Sequence, residues 1–143
     1  MNELAIRDAH VSDADAVARL VTQLGYSTTA EQMVTRLEAL IARAEYHTFL
    51  AERGGVVAGM VGVHLGYSLE FDGVYARLTG LVVDEPMRGR GVGTYLMHHV
   101  EHWLTAIGAK MLTLTSGRHR LDAHRFYQRL GYERNGVRFV RRL

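Results

Sequence analysis

Between Val83 and Thr94 the chain runs Val-Asp-Glu-Pro-Met-Arg-Gly-Arg-Gly-Val-Gly-Thr. Glycines at 89, 91 and 93 let backbone N–H groups approach a ligand with no Cβ in the way. Arg88 and Arg90 add positive charge. Helix-period residues follow from Val92, and a helix there aims its positive end at the turn. Such a turn is built for a pyrophosphate. Two diphosphate signatures fail on residues. A Walker loop needs Lys-Ser/Thr after its last glycine, where Thr94-Tyr95 stands. A dinucleotide fingerprint from Gly89 needs glycine at 94 and meets Thr94. The plainer alternative is a glycine-rich helix start with no ligand.

The remaining chemistry lies in histidines, carboxylates and arginines. There are eight His and no Cys. The absence of Cys excludes disulfides, thiolate catalysis and Cys-ligated metal. His98 and His102 are four apart on the long helix and could form a ligand pair. The apolar stripe Val92, Leu96, Val100, Trp103 and Ile107 puts both on the opposite face, with no third ligand, so no metal is expected. His64 falls in a strand, and Glu70 and Asp72 in a loop; each has a bland reading, as a satisfied core histidine or a solvated loop. Arg134, Arg138, Arg141 and Arg142 make a basic tail, read as a charged strand end.

The elements that carry these residues follow from periodicity. Leu4–Arg7 is strand-like. Ser12 offers a helix N-cap with Asp15 three residues on, and Val17, Leu20, Val21 and Leu24 follow before Gly25. A second helix opens at Thr28 or Thr29, with the stripe Met33, Leu37, Leu40, Ile41 and Ala44. A hairpin runs from His47 to Glu52, turns at Arg53-Gly54-Gly55, and returns from Val56 to Leu65. After the Gly66–Gly73 loop come a strand from Val74 to Val83 and the long helix from Val92 to about Ile107. A strand at Met111–Thr115, a helix at Arg120–Leu130 stopped by Gly131, and a last strand at Val137–Val140 complete the chain. The order β-α-α-β-β-β-α-β-α-β is a mixed α/β sheet, with a right-handed parallel crossover from Val74 to Thr115.

Length and composition bound the rest. The 143 residues suit one domain, 1–143, with a real core. At 48% apolar and 22% charged the chain is not disordered. No apolar run nears the roughly 20 residues a membrane helix needs, and Met1-Asn2-Glu3-Leu4 shows no export signal, so a cytoplasmic setting is expected. A net charge of +2 is too small to argue for nucleic acid, which is not expected as a partner, while a pI near 9.1 mildly favours anionic ligands.

Arg88-x-x-Gly91-x-Gly93 resembles the Arg/Gln-x-x-Gly-x-Gly/Ala motif of the GCN5-related N-acetyltransferases (GNAT), which bind acetyl-CoA. Ala123-His124-Arg125-Phe126-Tyr127 with Gly131-Tyr132 is similar to that family's Ala-x-x-x-Tyr…Gly-Phe/Tyr element. More narrowly, Arg120-Leu121-Asp122-Ala123-His124-Arg125-Phe126-Tyr127 and Met60-Val61-Gly62-Val63-His64-Leu65 resemble the aminoalkylphosphonate N-acetyltransferase branch. Two departures stand out. That branch has acidic residues in the strand before the glycine turn, where this chain has Arg77 and Gly80. The family's usual Asn, three residues before the Ala, is Arg120.

The resemblance implies acetyl transfer from CoA to an amine by direct attack. It implies that the backbone of Leu81, Val82 and Val83 pairs with the pantetheine arm, and that Gly89, Arg90, Gly91, Val92, Gly93 and Thr94, with Arg88, hold the pyrophosphate. Arg120 either replaces the Asn near the CoA arm or is a solvated first-turn residue. Gly80 marks a bulge or close approach, or is a weak strand position. Tyr127 takes the position of the general acid, against the alternative of a core aromatic beside Phe126. The base is His64, Glu70 or Asp72, or water relays the proton. The expected partner is a small-molecule amine, with acetyl-CoA as cosubstrate and a homodimer an option by family analogy. The alternatives are a protein N-terminal or lysine acetyltransferase of the same fold, and a non-catalytic CoA-binding regulatory domain.

Overall fold

The glycine turn is held by a strand and helix that pack on the centre of one sheet. A computed structural model describes residues 3–143; Met1 and Asn2 of the N-terminal reading lie outside them. The chain forms two compact units, one ending at Thr113 and the other Leu114–Leu143.

In the first unit, strand β1 (Leu4–Asp8) leads to helices α1 (Ala14–Leu24) and α2 (Ala30–Ile41). Three strands follow, β2 (Tyr46–Arg53), β3 (Val56–Tyr67) and β4 (Val74–Val83), then helix α3 (Val92–Ala106) and the short strand β5 (Leu112–Thr113). The sheet order is β1-β2-β3-β4-β5, antiparallel up to β4 and parallel between β4 and β5. The expected crossover is therefore present. Its second strand, expected over Met111–Thr115, shortens to Leu112–Thr113.

Local chemistry sets the boundaries. The cap of α1 is Asp13 rather than Ser12, because a 3-10 turn at Val11–Asp13 precedes the helix and the Asp13 carboxylate accepts from the His10 N–H at 2.7 Å. Gly25 ends α1 with φ 119°, a conformation that costs other residues Cβ strain. Thr29 and Gln32 cap α2 reciprocally, at 3.1 and 3.0 Å. Gly54 and Gly55, with φ 59° and 78°, close the β2–β3 hairpin as its tight turn requires.

The sheet has an apolar layer on each face. Leu50, Met60 and Val82 meet Val17, Leu20, Met33 and Leu37 of α1 and α2. Phe49 packs edge-on to Trp103 of α3, at 5.3 Å between ring centroids. The α3 stripe is Val92, Leu96, Met97, Val100 and Leu104; Ile107 is half-exposed, as Ile41 is on α2, because each lies past its helix's contact with the sheet. His98 and His102 are exposed, as helical spacing requires.

The second unit holds helix α4 (Leu121–Arg129), in which no residue is fully buried. The expected strand at Val137–Val140 does not form, and residues 133–143 are neither helix nor strand. A strand needs an edge to pair with, and this unit contains no other strand. Val137 and Phe139 are exposed accordingly.

Candidate active site

The site grows from β4. Its register against β3 slips once: Gly62 pairs with Gly80, but Val63 pairs with Leu78, leaving Thr79 as an extra residue. The bulge expected around Gly80 is therefore present, and Thr79 is the inserted position. A Cβ on Gly62 would collide with Thr79 Oγ1, so glycine there lets the bulged threonine lie over the neighbouring strand.

The shortness of β5 leaves an edge free beside the bulge. On the side away from β3, β4 pairs only through Ala76 with Leu112 and Arg77 with Thr113. From Leu78 to Val83, among the described residues, no strand occupies that edge. It exposes backbone N–H and C=O groups to an extended ligand, the arrangement of strand addition. Leu81, Val82 and Val83 lie on this stretch, and Val82 is buried in the α1–α2 core.

Beyond Val83 a 3-10 turn at Glu85–Met87, with Pro86 in its first turn, leads into the glycines. Gly89 and Gly91 have φ 76° and 82°, and a Cβ on either would point into open space. Gly91 is the N-cap of α3 and supplies no side-chain cap. The N–H groups of the first helical turn, including Val92, Gly93 and Thr94, thus face an open backbone cradle whose dipole favours an anion. A diphosphate fits this donor set. Gly59 holds the cradle against the sheet, since a Cβ there would meet Val82 O at 3.0 Å and Val92 Cγ1 at 3.2 Å.

The two arginines divide. Arg88 turns back: its Nε donates to Val83 O at 3.0 Å and its guanidinium reaches Gln23 Oε1 at 3.3 Å. It braces the turn more than it lines the cradle. Arg90 is exposed beside the glycines.

A polar clasp that the sequence did not reveal fixes the strand end. Gln23 of α1 donates to Asp84 Oδ1 at 2.8 Å and accepts from the Glu85 N–H at 3.0 Å. Arg19 pairs with Asp84 Oδ2 at 2.5 Å. Burial works against charge on Asp84, but the Gln23 hydrogen bond and the Arg19 partner outweigh it and hold the carboxyl below its usual range. An acid directly after the apolar run Leu81-Val82-Val83 was the available hint; its partners 61 and 65 residues upstream were not legible.

His64 lies on β3 two residues beyond Gly62, half-buried, its ring stacked on Tyr46 of β2 at 4.4 Å between centroids. Glu70 is elsewhere, exposed in the β3–β4 loop, where its N–H donates to Ser68 Oγ at 3.0 Å. Asp72 is exposed in the same loop, which Phe71 anchors edge-on to Tyr75.

In the second unit Tyr127 packs edge-on to Phe126 and Tyr132, at 5.2 and 5.9 Å. Burial pushes its phenol above the usual value, and the charge of Arg120 at the head of α4 partly offsets this. The phenol is therefore protonated at neutral pH and able to donate. Among the described residues, no three His, Cys, Asp or Glu side chains converge to hold a metal ion. No helix among them is long and apolar enough to cross a membrane.

Known proteins match this geometry. The acetyltransferase (GNAT) family profile covers residues 14–132. An aminoalkylphosphonate N-acetyltransferase of Salmonella typhimurium is 32% identical over 139 residues, 96% of this chain and 90% of that one. A GNAT family acetyltransferase of Staphylococcus aureus superposes with TM-score 0.85 at 24% identity, over 100% of both chains. The aminoglycoside N-acetyltransferase AAC(6')-Iy, solved with CoA, superposes with TM-score 0.85 at 22% identity, over 99% of this chain and 96% of that one. The family match over residues 14–132 and the 32% identical relative along 96% of the chain agree: the chain belongs to the acetyltransferase (GNAT) family and is an acetyl-CoA-dependent acetyltransferase.

Proposed function

We propose that the protein is a small-molecule N-acetyltransferase acting on a primary amine, with an aminoalkylphosphonate as the substrate class to test first. The observation that carries it is the likeness to the Salmonella typhimurium aminoalkylphosphonate N-acetyltransferase, 32% identical along nearly the whole chain. Acetyl-CoA supplies an activated thioester. In this reading the β4 edge at Leu81, Val82 and Val83 holds the pantetheine by backbone hydrogen bonds. The glycine turn from Gly89 to Thr94 holds the diphosphate, braced by Arg88, with Arg90 adding charge. The role of Arg120 is to keep a positive charge near the Tyr127 phenol.

An alkyl amine has a pKa of about 10, so it must lose a proton before it attacks. His64 is the proposed acceptor of that proton. It is favoured over Glu70 because it shares a sheet face with the bulge, whereas Glu70 is exposed in a loop. Attack by the amine nitrogen forms the C–N bond as the C–S bond breaks, and the departing sulfur takes a proton from Tyr127.

Thiol release from acetyl-CoA, followed over aminoalkylphosphonates, aminoglycosides, polyamines and peptides, tests the reading. Turnover is expected on a small amine and not on peptides. Turnover on peptides alone would make this a protein acetyltransferase. Thermal stabilisation by CoA with turnover on none of them would remove the small-amine reading while leaving the CoA site in place.

A further inference from the structure

The register lines up one row of side chains across the sheet: Tyr46 on β2, His64 on β3, Arg77 on β4 and Thr113 on β5. Directly opposed residues share a face. The row lies on the α1–α2 face, beyond the end of α1, whose Leu24 comes within 3.7 Å of a Cβ placed on Gly80. Arg77 is exposed, and among the described residues its guanidinium makes no hydrogen bond or ion pair. Its strand neighbours Ala76 and Leu78 are buried on the opposite face. The strand thus holds a free guanidinium up beside a stacked histidine, two residues before the bulge.

We infer that Arg77 reads an oxyanion on the acceptor, and that the acceptor is a short amine carrying a phosphonate or carboxylate within a few bonds of its nitrogen. This rests on the proposed N-acetyltransferase activity and gives its acceptor's anion a partner in this chain. A guanidinium binds such a group through two parallel charge-assisted hydrogen bonds. Opposed residues have Cβ atoms about 4.5–5.5 Å apart, so one ligand that meets both His64 and Arg77 must be compact. The same charge disfavours polycationic acceptors, because a cation brought beside Arg77 meets like charge with no carboxylate in the row to offset it. The anion sets orientation: once it is held at Arg77, the amine is left on the His64 side.

The test is steady-state kinetics of the wild type, Arg77→Gln and Arg77→Lys. The acceptors are 2-aminoethylphosphonate, 3-aminopropanoate, propylamine and an aminoglycoside. The wild type should prefer an anionic acceptor over propylamine. Arg77→Gln should raise KM for the anionic acceptors roughly 10- to 100-fold, the worth of hydrogen bonds to a charged group, with kcat changed little. It should leave propylamine and the KM for acetyl-CoA unmoved. Arg77→Lys should recover part of the loss, since it keeps charge without the fork. The phosphonate and carboxylate arms tell which oxyanion is read. Equal loss on propylamine, or no loss on any acceptor, would overturn the assignment of Arg77 while leaving the small-amine acceptor intact. Wild-type turnover on none of the four small amines would overturn that acceptor class, and this assignment with it.

Discussion

The two ends of β4 work by different means. At its C-terminal end, the proposed cosubstrate contacts are backbone: the free edge at Leu81–Val83 and the uncapped N–H groups after Gly91. At its N-terminal end, the proposed acceptor contacts are side chains: Arg77, with His64 and Tyr46 beside it. A backbone site suits a ligand part that never varies. A side-chain row can be altered one residue at a time, which suits an acceptor that differs between relatives.

Three measurements sharpen or break that contrast, beside the Arg77 series. The largest effect is expected from His64→Gln. If His64 takes the amine's proton, kcat should fall about 10²- to 10⁴-fold at neutral pH while CoA affinity is unchanged. Full activity would hand the base role to Glu70 or to water. Next comes Gly91→Val. With φ at 82° and its Cβ position facing open space, a branched residue there is strained and stands in the cradle. CoA binding by calorimetry should weaken by at least tenfold, while acceptor KM at saturating acetyl-CoA stays put. An unaltered CoA affinity would put the diphosphate elsewhere.

The smallest effect belongs to Asp84→Asn, in the clasp beneath the turn. Loss of a charge-assisted hydrogen bond should cost about 1–2 kcal/mol, discounted because Arg19 is partly exposed. The sign with pH follows from the lowered carboxyl. Its contribution is present above the unfolded carboxyl pKa of about 4 and is lost as pH falls through the lower folded value. Thermal melts of wild type and variant should therefore differ at pH 7 and converge under strong acid. A constant gap across pH would mean Asp84 acts by packing alone.

Legibility in the sequence followed the same division. The glycine turn could be seen because backbone binding demands glycines at fixed spacing in one short stretch, 89 to 93. The order of elements was readable through β5 because each has its own periodicity and stop, such as Gly25 and the Gly54-Gly55 turn. The Tyr46–His64–Arg77 row was not, because it depends on cross-strand register between segments up to 31 residues apart. The Gln23–Asp84 clasp failed for the same reason at longer range. Val137–Val140 misled because alternation measures a strand's pattern and not the presence of a partner edge.

The extra residue at Thr79 has a consequence for how such a chain can diverge. It shifts the phase of β4, so that Arg77, an odd position, and Val82, an even one, lie on the same side of the sheet. With Thr79 deleted, four steps of strict alternation would separate Arg77 from Val82, and both would keep their sides. The bulge can therefore be gained or lost without driving the guanidinium against α3 or Val82 out of the α1–α2 core. A residue added to β4 at that point and absorbed with no further bulge is different: it would turn either the Arg77 row or Val82 to the other face.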